Sequence, residues 1–436
     1  MLNYESLARK VADGMLLKQK ENPGIRIARR KYGKFIDKLL EKKSFSIKGL
    51  DKREQRIIKE LEKIKYGPLV YRANGTYKVK TRIGEVVRIV YSERDKRCVE
   101  LSKALRDECW KRGCHVSFIP HSDLDTRKYY QISPEDSLVE MSKISELMAK
   151  HIDVRFFVGD DEEPEWSRGL EKRVKLSSSS SQYLHEILDK RKARWCLLGF
   201  PVKMDRKSYL VDRKLYEKVY LETIKETFSK NTLNLCNYYK KALSGRNNIS
   251  IFASDGTALT FSIRGRPLLV ADGKIDKEDV KRGDIGLNIP DGEVFTAPLE
   301  NSANGKILFD HVNISGFGFV KNLWITFNRG KVLDFKSDKK GTTMFRKFLD
   351  ANTGEKDRIA EFGIGTNMAA RFVGATVVDE KIFGSIHIAI GNNTGAYHGK
   401  NKASSHQDMI KIMRGRAGRI YADGKLVMSN GFPVKK

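Results

Sequence analysis

Val86-Val87-Arg88-Ile89-Val90-Tyr91 opens the stretch whose reading decides the fold. The run is short, apolar and rich in β-branched residues, and residues 96–112 then repeat their apolar positions at helical spacing. Gly113 ends that helix, and His115-Val116-Ser117-Phe118-Ile119 is extended again. Strand, helix and strand in that order predict a right-handed βαβ unit and a parallel sheet. Residues 152–159 (IDVRFFVG) and 194–200 (RWCLLGF) supply two more strands, with a helix over 181–191 between them. The five serines of 177–181 read as a surface loop beside a strand end. No glycine-rich phosphate loop follows the first strand, so nothing marks a nucleotide site.

Downstream, the helical spacing of residues 215–243 predicts one long helix joining two halves of the chain. Past it the texture turns to strands and tight turns: 249–253, Asp255-Gly256, 259–264 (LTFSIR) and 267–270. Such alternation between turn residues predicts antiparallel hairpins. Further strands are expected at 307–311, 317–322, 324–328, 331–334, 358–363 and 386–390, and a helix at 343–351. The fold class is therefore α/β. A Rossmann-like α/β domain over 81–244 precedes a mixed α+β metal-binding domain over 245–436, and 1–80 form a basic helical extension.

That extension carries 22 lysines and arginines against 9 acidic residues, so +13 of the chain's net +28 lies in its first 80 residues. Amphipathic helices are expected over 6–20, 29–42 and 51–65, punctuated by Asn22-Pro23-Gly24 and Tyr66-Gly67-Pro68. A basic arm of this kind attracts nucleic acid, anionic lipid or an acidic protein. The other reading, a lysine-rich surface that packs on a neighbouring domain or subunit, stands beside it. No run reaches the roughly 20 apolar residues of a membrane span. Met1-Leu2-Asn3-Tyr4-Glu5 does not begin a secretory signal, and the five cysteines, with no CxxC pair, read as reduced thiols. The chain is expected in the cytoplasm.

Possible chemistry collects toward the C-terminus in Glu293, Glu361, Glu380, His387, His406 and Asp408. His406 and Asp408 stand two apart, so in an extended segment they point to the same side. His387 lies in Ile386-His387-Ile388-Ala389-Ile390, where a histidine taken alone is more often a satisfied core residue than a ligand. Glu361, among apolar residues and glycines, needs a partner, a proton or a cation if buried. Glu380 lies in Val378-Asp379-Glu380-Lys381, which also reads as a solvated turn. Oxygen and nitrogen donors without a thiolate suit zinc, cobalt, manganese or iron. Two ions about 3.5–4 Å apart need a bridging carboxylate, terminal donors and an open position for water.

Four blocks carry a resemblance: 291–298 (DGEVFTAP), 359–367 (IAEFGIGTN), 385–391 (SIHIAIG) and 405–409 (SHQDM), with 259–267 (LTFSIRGRP) as a fifth. In order and spacing they resemble the thermophilic aminopeptidase family, of the aminopeptidase T and aminopeptidase S type. The resemblance covers residue 81 to the C-terminus. It implies a dinuclear zinc, cobalt or manganese site, usually in a homodimer, acting on peptides. By match, Glu293, Glu361, Glu380, His387, His406 and Asp408 would be the ligands, with Glu361 the bridge and base. The family places a tyrosine seven residues after the histidine matched by His387. Here Thr394 holds that position, and Tyr397 stands three residues on. Either Tyr397 replaces it, or transition-state stabilisation is rearranged or absent.

Two other classes remain open at this level. His387, His406 and Asp408 also make the two-histidine, one-carboxylate set of mononuclear non-haem iron(II) enzymes, including ring-cleaving dioxygenases. A non-catalytic scaffold binding nucleic acid through residues 1–80 is the third.

Overall fold

The computed structural model describes residues 3–17, 20–42, 44–64, 67–72, 74–159, 166–167, 169–200, 210–314 and 317–434. Met1, Leu2, Lys18, Gln19, Lys65 and Tyr66, on which parts of the expected arm fall, lie outside them.

Three helices open the chain: α1 (Tyr4–Met15), α2 (Pro23–Leu40) and α3 (Lys52–Glu62). Each starts on a side chain that satisfies a free backbone N–H: Asn3, Asn22 and Asp51, the last in a capping box with Glu54. Their packing divides them. Leu7, Val11 and Met15 of α1 join Leu101 and Leu105 in the core of the α/β layer. Residues of α2 and α3 instead enclose a separate core of Ile25, Ile36, Leu39, Phe45, Ile58 and Leu61, closed by the hairpin β1 (Leu69–Tyr71) and β2 (Tyr77–Val79). In packing, the first 80 residues are thus not one appendage.

The βαβ stretch folds as read. β3 (Val86–Ser92), α4 (Lys96–Lys111) and β4 (His115–His121) are followed by β5 (Val154–Val158) and β6 (Arg194–Leu198). All pair in parallel, and β7 (Gly286–Ile289) completes a five-stranded sheet in the order β7-β6-β5-β3-β4. That last strand comes from beyond residue 244, so the parallel sheet draws on both halves of the chain. The serine run is not a loop: α5 (Ser178–Lys190) starts within it. Serine hydroxyls bond back to nearby backbone carbonyls, as Ser180 does to Ser177, and so sit comfortably in a first helical turn.

The expected helix over 215–243 is two helices, α6 (Arg213–Thr227) and α7 (Lys230–Leu243). Phe228 leaves helical geometry, and Ser229 caps the second helix by accepting from the Thr232 N–H. Beyond lies a 13-stranded antiparallel sheet. Its strands include β8 (Glu293–Thr296), β9 (Ile359–Gly365), β10 (Ser385–Gly391) and β11 (His406–Ile412), which lie side by side in that order. The strands expected at 317–322 and 324–328 are one strand, Gly318–Asn328. Among the described residues no helix is long and apolar enough to cross a membrane.

Candidate metal centre

Alternation along β8 to β11 sorts the side chains onto two faces. One face sends Val294, Phe362, Ile364, Ile386, Ile388, Ile390 and Met409 into the apolar core. The other carries Glu293, Glu361, His387, His406 and Asp408. Register brings them together: Glu293 lies opposite Gly365, His387 opposite Gly363, Ala389 between Glu361 and Asp408, and His406 opposite Gly391. The positions between the donors are glycines or alanine, which leaves room for the long carboxylates. At Gly363 a Cβ would stand 2.0 Å from Nε2 of His387, so any larger residue must displace that ring.

Glu361 is the hub. Its Oε1 is 3.1 Å from Nε2 of His387, its Oε2 is 3.1 Å from Nε2 of His406, and Tyr397 donates to Oε2 at 2.7 Å. His387 Nε2 is also 3.5 Å from Oε2 of Glu293, and His406 Nε2 is 3.5 Å from Oδ1 of Asp408. Two donor groups result, Glu293–Glu361–His387 and Glu361–His406–Asp408, each able to converge on one cation, and Glu361 is common to both. The Asn392 carbonyl, 2.7 Å from Nδ1 of His406, orients that ring.

Glu380 follows α8 (Thr376–Asp379), and it is not in a solvated turn: it is 9% exposed. Asp379, beside it, accepts from the N–H groups of Val373 and Gly374 and so pins the segment. The neighbouring Lys381, 1% exposed, is the residue the sequence reading missed. Its ammonium lies 2.6 Å from Glu293, 2.7 Å from Glu380 and 4.0 Å from Asp291. A lysine that follows two acidic residues looks like a surface charge in the sequence, and only burial reveals its task.

Electrostatics show how crowded this charge is. Burial raises the Glu293 carboxyl to about 7 against the pull of the Lys381 ammonium, and nearby Glu380 and Glu361 add to the rise. Burial brings Asp291 to about 7 as well, despite Lys381. Glu361 goes the other way: burial opposes ionisation, but His387 and His406 outweigh it and hold the carboxyl well below its usual range. The His387 imidazole, which burial alone would lower, is raised to about 9 by Glu361 and Glu293. Burial, with Glu361 beside it, pushes the Tyr397 phenol up, so it remains a proton donor.

A divalent cation fits this chemistry. Among the described residues, Oε2 of Glu293 and Oδ1 of Asp408 are buried without a hydrogen-bond partner, a condition that calls for a ligand. Carboxylate and imidazole donors without a thiolate suit a divalent transition metal. The donors face a cavity of about 590 Å³ between β7 and this face of the sheet, lined also by Trp195, Asp284, Asn288 and Phe295. That volume suits a small ligand or the end of a peptide.

Comparison with known proteins agrees with this picture. Residues 65–432 match the model of the thermophilic metalloprotease (M29) family. The aminopeptidase AmpS of Bacillus subtilis (strain 168) is 21% identical over 164 residues, which are 37% of this chain. The match spans 38% of that relative's length. Wild-type AmpT from Thermus thermophilus superposes with a TM-score of 0.59 at 20% identity, over 81% of this chain and 94% of that one. A 2,5-dihydroxypyridine dioxygenase from Pseudomonas putida KT2440 gives 0.53 at 15% identity, over 81% and 92%. At such identities the two structures report a shared fold.

Proposed function

Because the chain belongs to the thermophilic metalloprotease (M29) family, we propose that it is a metal-dependent aminopeptidase that removes N-terminal residues from peptides. The observation that carries this reading is the sharing of Glu361 between two donor groups. Glu293 and His387 would hold one cation, His406 and Asp408 the other, with Glu361 between them and Glu380 completing the set. Two bound divalent ions would lower the pKa of water and polarise the scissile carbonyl.

The protein's own groups supply the rest. Glu361, at the junction of the two donor groups, would relay the proton of the attacking water to the leaving amine. Tyr397, an un-ionised phenol, gives its one O–H to Oε2 of Glu361 and would turn it to the oxyanion that develops on the carbonyl. It therefore takes the part of the family tyrosine, although Thr394 occupies that tyrosine's place in the sequence. Lys381 offsets part of the charge of Glu293 and Glu380, at 2.6 and 2.7 Å.

The ring-cleaving dioxygenase reading shares the fold but needs one iron and one carboxylate. Three further buried carboxylates, Glu293, Glu361 and Glu380, favour a pair of ions. Release of free amino acids from aminoacyl reporters, together with metal analysis, tests the proposal. Two zinc, cobalt or manganese ions per chain, activity abolished by chelation, and a loss of about 10²–10⁴-fold in Glu361→Gln are expected. One iron per chain with oxygen uptake would overturn it.

A further inference from the structure

A second charged surface lies away from the cavity, on the small core formed by α2, α3 and the β1–β2 hairpin. Phe45 and Tyr77 exchange backbone hydrogen bonds of 2.9 and 2.7 Å, so three antiparallel segments lie in the order Phe45, β2, β1. Helix α2, the Phe45 segment, the single turn Ile47–Gly49, α3 and the hairpin thus follow one another around this core. Both α2 and α3 precede residue 65, where the family match begins.

Sequence spacing makes α3 two-faced. Ile58 and Leu61 point into the small core, and Lys52, Arg56, Lys59 and Lys63 fall on the opposite ridge at intervals of four, three and four. All four are exposed, and none forms an ion pair among the described residues. The acidic residues of the helix are drawn off the ridge. Glu54 engages Lys38 at 2.7 Å and the Asp51 cap, Glu60 engages Lys31 at 2.9 Å and Tyr32, and Glu62 accepts from Tyr77 at 2.8 Å. The hairpin adds exposed Arg72 and Lys78.

The chemistry of the ridge selects its partner. It runs about 16 Å along the helix, and a major groove about 12 Å wide admits an α-helix. The ridge itself carries no aromatic ring on which an unpaired base could stack and no large apolar side chain for a membrane; the exposed Val70 and Tyr71 belong to the hairpin. The deep, narrow major groove of duplex RNA does not admit a helix. We infer that α3 and the β1–β2 hairpin bind duplex DNA, α3 in the major groove and Arg72 and Lys78 on the flanking phosphates. The binding is dominated by phosphate neutralisation and is independent of the metal centre.

Fluorescence anisotropy of the full chain with a labelled DNA duplex of about 21 base pairs, two helical turns, tests this across a salt series. Replacing Lys52, Arg56, Lys59 and Lys63 together by alanine is expected to weaken binding at least about 100-fold at 0.1 M salt. The log–log salt slope should fall by about 3–4. Replacing the three lysines by arginine should retain binding, and reporter-peptide activity should be unchanged in both variants, so this result and that of the peptidase assay are read separately. Binding by the alanine variant equal to that of the unmodified chain would overturn the inference. So would tighter binding by the unmodified chain to an unpaired strand, to duplex RNA or to phosphatidylserine vesicles.

Discussion

Gly363 lacks a side chain because the imidazole of His387, on the neighbouring strand, fills the space that one would occupy. Gly363→Ala is therefore expected to displace that ring and weaken metal binding by about 10–100-fold, measured by calorimetric titration of the chelated protein. Lys381 presents the converse problem, a buried cation whose partners are all carboxylates. Lys381→Met leaves them uncompensated, and urea unfolding in chelator should show a loss of about 3–5 kcal/mol. An unchanged midpoint would mean that another group balances Glu293 and Glu380. A third residue, Asp255, tests electrostatics outside the donor set. Burial would raise its carboxyl, but the Lys411 ammonium at 2.6 Å and Thr257 hold it below its usual range. The folded state thus binds its proton less readily than the unfolded chain, whose carboxyl titrates near ~3.9. The pair's stabilisation is present above that pH and is lost as pH falls through the lower folded value. Asp255→Asn should accordingly be less stable than the unmodified protein at neutral pH, with the gap closing in acid. A gap that stays constant through pH 3 or widens (about one unit below the ordinary carboxylate value) would count against the ion pair.

At the scale of elements, legibility followed how local the deciding interaction is. The βαβ stretch was readable because β-branched runs and a helical repeat are properties of neighbouring residues. The strands 358–363 and 386–390 were readable for the same reason: β9 begins one residue later and ends two later, and β10 gains one residue at each end. Where a single side chain decides, the pattern misled. Ser229 splits the expected 215–243 helix by capping its second half, and apolar spacing does not register a cap. The five serines are weak helix formers, yet α5 starts within them and packs Leu188 with Ala149 and Ala193 further along. The capping box of α3 gives this scale its own prediction. Asp51→Ala should cost about 0.5–2 kcal/mol. Faster hydrogen exchange in α3, with α4 unaffected, is the expected signature, since the two helices belong to different cores.

For the whole molecule, metal and fold are coupled because the donors come from five separate segments between residues 293 and 408. A cation that binds only the assembled sheet stabilises it. At a free concentration a hundred times its dissociation constant the gain is about 2.7 kcal/mol per ion, so chelation should lower the unfolding temperature and zinc or manganese restore it. Calorimetry on the chelated and reloaded protein checks this, and an unfolding temperature indifferent to metal would contradict the coupling. The sequence by itself determined which residue types were available: the six oxygen and nitrogen donors, the βαβ order, and a basic charge concentrated at the N-terminus. Only the tertiary structure decided that Glu361 stands between two donor groups, that Tyr397 reaches it from outside the expected spacing, and that Lys381 is buried. It also decided that α1 packs with the α/β layer while α2 and α3 do not. The reason is physical: composition and spacing are carried by neighbours along the chain. Proximity between strands, the depth of a charge and the core to which a helix belongs depend on which faces meet once the sheets have closed.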